Sequence, residues 1–209
     1  MTDDARADLA GQAAGLIADA VRRWRAAASG VLVVALDGPG GAGKTTIAAA
    51  AAARLGRAGA VTVHTDDFFR PADRGRPREL RDYYDWPRLA RQALVPLRAG
   101  QPATFRRYDW DLGRLSPGLV TVAPGPVVLL EGVLSAAPEL AGEVDRRVLV
   151  GTPEPDRLAR LRARISPADW DEAWLAAERR YFGAAASRAV FDLIVSGAGP
   201  PPGSGPPPA

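Results

Sequence analysis

The chain has 209 residues, 47 % hydrophobic and 24 % charged, a balance that suits a soluble globular protein with one domain-sized core. Without cysteine it has no disulfide or thiolate chemistry, and with His64 as its single histidine it has no multi-histidine metal site. The formal charge is only +3. The pI near 9.8 arises because 26 of the 27 basic residues are arginines, and these alternate with carboxylates instead of forming a nucleic-acid-binding face.

The acidic start Met1-Thr2-Asp3-Asp4 is unlike a secretory leader, and the uncharged run 115–130 is broken by Pro117, Gly118, Pro124, Gly125 and Pro126, so neither secretion nor a membrane span is expected. Residues 3–28 carry Leu9, Ala13, Leu16, Ile17, Ala20, Val21 and Trp24 at spacings of three and four, which predicts an amphipathic helix ending at Gly30. Residues 31–36 are a continuous valine-rich run, the pattern of a strand buried on both faces of a parallel sheet. A glycine-rich loop follows, then an alanine-rich helix over 43–55 and a short strand over 61–64. Residues 70–82 have no apolar period and read as a mobile surface segment. A helix is expected over 87–98, strands over 127–130 and 147–150, helices over 155–165 and 167–186, and a last strand over 191–195.

Alternating strands and helices of this kind predict an α/β sandwich with a mainly parallel sheet. The expected organisation is an N-terminal amphipathic helix over 1–30 packed on the core, one domain over 31–196, and a disordered tail over 197–209 made only of glycine, proline, serine and alanine.

Gly38-Pro39-Gly40-Gly41-Ala42-Gly43-Lys44-Thr45 fits the G-x-x-x-x-G-K-[ST] pattern in full and lies between a predicted strand and a predicted helix, as that pattern requires. Glycines let the loop backbone turn its N–H groups, with the start of the helix, toward phosphate oxygens. The nucleotide cradle is therefore Gly38, Gly40, Gly41, Ala42, Gly43, Lys44, Thr45 and Thr46. Lys44, the only lysine, can reach the β and γ phosphates, and the Thr45 hydroxyl can hold Mg²⁺. Asp66, Asp67 and Glu131 follow predicted parallel strands, at the end where open α/β sheets bind ligands. His64 is expected to pack or hydrogen-bond near a strand end. Arg157, Arg160 and Arg164 share one helix face and could close over phosphates.

In order and spacing across residues 31–196, the chain resembles the uridine kinase and phosphoribulokinase family of P-loop kinases. The likeness rests on Asp37-Gly38-Pro39 leading into the loop, Thr65-Asp66-Asp67-Phe68-Phe69, Tyr83-Tyr84-Asp85-Trp86-Pro87, Tyr108-Asp109-Trp110 with Arg114, Glu131-Gly132, and Arg157-Leu158 with Arg160 and Arg164. The resemblance implies a P-loop NTPase three-layer sandwich and an ATP- and Mg²⁺-dependent kinase acting on a small-molecule hydroxyl, most simply that of a nucleoside or another ribose-like acceptor. It implies Asp66 as the base that takes the hydroxyl proton and as a metal contact. Glu131 would hold Mg²⁺ together with Thr45, and Asp85 would bind ribose hydroxyls. Tyr84 and Tyr108 would line the acceptor pocket with Arg114, and Arg164 would act from the lid.

The chain departs from the family twice. Ile165 and Ser166-Pro167-Ala168-Asp169-Trp170 replace the end of the arginine lid, with Arg179 and Arg180 as substitutes from the next helix. Asp111-Leu112-Gly113 stands where a pyrimidine-reading histidine is expected. Nucleoside monophosphate and pantothenate-type kinases and a non-catalytic ATP-binding module stay open as readings, while a guanine switch is disfavoured because the chain has no asparagine. No nucleic-acid or membrane partner is expected, the state of oligomerisation is left open, and the expected setting is a bacterial cytoplasm.

Overall fold

The computed structural model describes residues 3–56, 59–70, 79–164, 171–184 and 190–197, with side chains of the first helix described from Leu9 onward. Its centre is a five-stranded sheet of β1 (Leu32–Asp37), β2 (Val61–His64), β7 (Val127–Glu131), β8 (Arg146–Gly151) and β9 (Leu193–Ser196), in the order β2-β7-β1-β8-β9 with every pairing parallel. β1 and β7 are buried throughout, which accounts for their unbroken apolar sequence: successive side chains feed two different cores.

On one face, Leu32, Val34, Leu36, Leu129, Val148 and Val150 pack against α1 (Asp3–Ala26) and α2 (Lys44–Leu55) through Ile17, Val21, Ile47 and Ala51. On the other, Val33, Ala35, Val128 and Leu130 pack against Leu89, Ala93, Leu94 and Leu97. Helices on both faces of a parallel sheet make the three-layer α/β sandwich that the alternating pattern predicts. No described helix is long and apolar enough to cross a membrane.

The helix expected over 87–98 is interrupted. It runs as α3 (Trp86–Leu89), a π-helical turn Ala90–Leu94, and α4 (Val95–Arg98). Pro96 has no N–H to donate and crowds the preceding turn, and the widened turn lies immediately before it. Two antiparallel pairs escape sequence patterning because each strand has only two or three residues: β3 (Ala103–Phe105) with β6 (Val120–Val122), and β4 (Tyr108–Asp109) with β5 (Arg114–Leu115). The last two helices are α5 (Glu154–Arg164) and α6 (Glu172–Ala184). The core of the expected mobile segment, residues 71–78, lies outside the described residues, as do the lid substitutions at 165–170 and the tail from 198; a 3₁₀ turn at Leu80–Tyr83 follows the first of these.

Candidate active site

The glycine-rich loop leaves the C-terminal end of β1 and enters α2, in the predicted context. Gly41 has φ 76°, and a Cβ there would lie 2.5 Å from the Arg157 carbonyl oxygen, so both the backbone angle and the packing of α5 under the loop demand glycine. The motif alone predicts that all the loop N–H groups point toward phosphate, but two of them are bonded within the protein. The Ala42 N–H donates to the Pro39 carbonyl at 3.2 Å, and the Gly40 N–H donates to Glu178 Oε1 at 2.7 Å. The free N–H groups at the first turn of α2, around Lys44, Thr45 and Thr46, are the ones that helix geometry aims along the axis into the cleft.

Lys44 is buried, and its Nζ donates to the carbonyls of Gly38 (2.7 Å) and Pro39 (3.0 Å). Burial pulls its pKa down, opposed by the negative charges of Glu131, Asp37 and Asp66. Glu131, at the end of β7, accepts from the Thr45 hydroxyl at 3.1 Å and meets His64 Nδ1 at 2.5 Å, both through Oε1. That hydrogen bond raises the His64 pKa, outweighing the burial that lowers it. His64 therefore packs at the strand end as expected, and its partner is a candidate metal ligand. Directly after β2, a 3₁₀ turn at Thr65–Phe68 brings Asp66 to the same cleft. Burial raises the Asp66 pKa, offset by Lys44, and the Tyr84 hydroxyl lies 3.4 Å from its Oδ1. A Cβ at Gly132 would overlap the Thr65 hydroxyl, so the glycine after Glu131 lets the ends of β2 and β7 close on each other.

This donor set fits Mg²⁺. Glu131 Oε2 is buried with no hydrogen-bond partner, beside the Thr45 hydroxyl and in the cleft that Asp66 lines. Among the described residues no three or more His, Cys, Asp or Glu form an all-protein cage. Mg²⁺ is ordinarily held by one or two carboxylates together with nucleotide phosphates, so Thr45, Glu131 and Asp66 suffice as its protein ligands.

The cleft measures about 380 Å³ and is lined by Lys44, Thr45, Asp66 and Glu131, with Arg160 and Arg164 reaching it from α5. Arg160 donates to the Gly41 and Gly197 carbonyls at 3.3 and 3.2 Å. Arg157 is not part of this cationic face. It is 3 % exposed and pairs with the fully buried Glu178 at 3.0 Å, because the helix turns it under the loop. Arg179 is held by Glu154 at 2.8 Å, and neither it nor Arg180 lines the cleft.

The expected acceptor residues divide. Tyr84 is buried on Asp66. Tyr108 belongs to an aromatic cluster around Phe69, whose ring centroid is 5.0 Å from Tyr108, 4.4 Å from Trp110, 5.8 Å from Tyr83 and 6.3 Å from Trp174. Asp85 caps α3, accepting the Arg88 N–H at 3.0 Å, with its carboxylate 3.7 Å from the Arg88 guanidinium; it does not line the cleft. Arg114 is exposed on β5 and also lies outside the cleft lining. Asp67 turns aside to Arg107, 3.2 Å away, and burial raises its pKa against that cation.

The sequence reading missed Glu178 and Trp174, and no local signal marks Glu178, which is 138 positions from the Gly40 it binds. Asp37, noted only as part of a pattern, proves to be fully buried. It accepts from the backbone of Gly38, Leu134 and Ala136.

No family model matches the chain. A uridine kinase of Latilactobacillus sakei subsp. sakei is 28 % identical over 140 residues, 64 % of this chain and 66 % of the relative, and one of Deinococcus deserti is 32 % identical over 107 residues, 48 % and 51 %. The chain resembles the uridine kinases. Uridine kinase-like protein 5 of Arabidopsis thaliana is 26 % identical over 135 residues, and the match spans 29 % of its length; none of these three matches reaches two thirds of the relative. Among solved structures, a possible uridine kinase from Bacillus stearothermophilus superposes with a TM-score of 0.61 at 21 % identity, covering 85 % of this chain and 97 % of that one. A putative fructose transport system kinase from Silicibacter sp. TM1040 gives 0.55 at 23 %, covering 80 % and 90 %. These likenesses establish the fold, that of the P-loop kinases to which uridine kinases belong.

Proposed function

We propose that the protein is an ATP- and Mg²⁺-dependent kinase that transfers the γ-phosphoryl group to a hydroxyl of a small molecule, a nucleoside or another ribose-like acceptor, in the cytoplasm. The observation that carries this reading is the convergence of Lys44, Thr45, Asp66 and Glu131 in one cleft with Arg160 and Arg164. The uridine kinases among the relatives support the acceptor class. Phosphoryl transfer needs alignment and charge neutralisation more than covalent chemistry, and this set supplies both. Lys44 and the first turn of α2 bind the phosphates, and Arg164 with Arg160 screens them from the α5 side. Thr45 and Glu131, with Asp66 beside them, would hold Mg²⁺, which when bound would neutralise charge on the transferring group. Asp66 takes the hydroxyl proton, and the Tyr84 hydroxyl orients its carboxylate. The aromatic cluster of Phe69, Tyr108 and Trp110 forms the apolar wall beside it.

The test is Mg·ATP turnover over a panel of nucleosides, nucleoside monophosphates, pantothenate and no acceptor, with Lys44→Ala and Asp66→Asn as controls. The expected result is turnover stimulated by a nucleoside, with Asp66→Asn binding ATP within about threefold of the parent but turning over at least about 100-fold more slowly. Unchanged turnover in Asp66→Asn would remove Asp66 from the mechanism. Nucleotide binding without turnover on any acceptor of the panel would overturn the nucleoside assignment and leave a different acceptor or a non-catalytic ATP-binding module.

A further inference from the structure

We propose that Glu178 is a positioning residue that fixes the nucleotide loop and couples it, through Trp174, to the aromatic cluster beside Asp66. The inference deepens the kinase reading and rests on it. Glu178 is completely buried on α6, yet all its identified partners are functional neighbours. Its Oε1 accepts two donors, the Gly40 N–H at 2.7 Å and the Trp174 indole N–H at 3.0 Å. Its Oε2 accepts from Arg157 at 3.0 Å, and the same guanidinium nitrogen lies 3.4 Å from the Gly40 carbonyl oxygen. The Gly40 peptide is thus gripped at its N–H by a carboxylate and at its carbonyl by the guanidinium paired with that carboxylate. A Cβ at position 40 would stand 3.1 Å from Glu178 Oε1, so a side chain there would press on this grip.

Through Trp174, the same Oε1 also connects to the acceptor region. The Trp174 ring is 5.0 Å from Tyr83, 6.3 Å from Phe69 and 6.4 Å from Tyr84, and Tyr84 holds Asp66. Trp174 does not line the nucleotide cleft. One oxygen atom therefore receives a hydrogen bond from the loop that holds the donor and another from the cluster that would hold the acceptor. A shift of either donor changes the angle and length open to the other. Buried charge-assisted hydrogen bonds are short and directional, so the two neighbours cannot move independently without loss.

The experiment compares Mg·ATP binding, by calorimetry on the full chain, for the parent, Glu178→Gln and Trp174→Phe, with thermal melting and tryptophan emission recorded alongside. Glu178→Gln is expected to weaken Mg·ATP about tenfold. Trp174→Phe keeps an aromatic side chain but removes the indole N–H together with the five-membered ring that carries it. It is expected to weaken Mg·ATP about threefold, and comparison of its emission with the parent's assigns the share of the nucleotide-induced signal that Trp174 emits. A purely structural role for Trp174 would lower the melting temperature and leave the Mg·ATP affinity of the folded protein intact. If the parent binds Mg·ATP and Trp174→Phe binds it equally well, the coupling is overturned, whatever Glu178→Gln does. If Glu178→Gln does not fold, Trp174→Phe alone decides by the same criteria. A parent that binds no Mg·ATP overturns the kinase reading, and this inference with it.

Discussion

At the scale of single residues, Asp37 shows how the site is held from behind. Its carboxylate accepts the N–H groups of Gly38, Leu134 and Ala136 at 2.7 to 3.2 Å, tying the end of β1 and the start of the nucleotide loop to the turn after β7. Burial nevertheless pushes its pKa up to about 6, because desolvation outweighs those hydrogen bonds and the charge of Lys44. In the unfolded chain Asp37 loses its proton near 3.8, whereas the folded chain keeps it until about 6. Between those values the folded state binds more protons, so the Asp37 contribution to stability is full below the lower value. It is lost as pH rises through the higher one, by about 3 kcal/mol in all. Asp37→Asn should therefore flatten the pH dependence of unfolding free energy between pH 4 and 6 relative to the parent, measured by urea denaturation; an unchanged slope would show that Asp37 titrates normally. The sequence announces the candidate phosphate side of this site through Lys44 and Thr45, because they belong to a contiguous pattern. It does not announce Asp37, Glu178 or Trp174 as supports, because their partners are brought together only by the tertiary fold.

Among the elements, α5 carries two kinds of arginine that sequence spacing cannot separate. A period of three and four places Arg157, Arg160 and Arg164 on one side of the helix, but the first is buried against Glu178 beneath the loop while the last is exposed at the cleft. The two should fail differently when truncated. Arg157→Ala leaves Glu178 buried without its counter-charge and should cost about 3–5 kcal/mol of stability, seen in thermal or chemical denaturation. Arg164→Ala should keep the parent's stability and lower kcat about 100-fold, as expected when one donor to a developing phosphoryl charge is removed. Equal stability in both variants would refute the division. The strands and the larger helices were legible from their periods, with ends shifted by a few residues. The break ahead of Pro96 and the two short antiparallel pairs were not, since a π turn and strands of two or three residues leave no period to read.

For the whole molecule, the order β2-β7-β1-β8-β9 puts the strands that deliver Asp66, Glu131 and the nucleotide loop side by side, from the edge strand β2 through β7 to the central β1. The glycine-rich pattern is complete by residue 45, but the loop it encodes is not autonomous. A Cβ at Gly38 would meet the Val150 carbonyl at 2.4 Å, the Ala42 carbonyl accepts the Thr152 hydroxyl at 3.0 Å, and Gly40 depends on Glu178. Every one of those partners is made more than a hundred residues later. Parallel pairings so distant in sequence are slow to form, and the loop must wait for them. During synthesis the ribosome thus releases a complete phosphate-binding pattern long before there is a phosphate-binding structure. A fragment ending at residue 140, before β8, α5 and α6, should show no ATP binding in calorimetry although it contains Lys44, Asp66 and Glu131; measurable affinity would mean that the loop assembles on its own. Nucleotide can therefore act as a folding ligand only at the last stage, once α6 has closed beneath the loop.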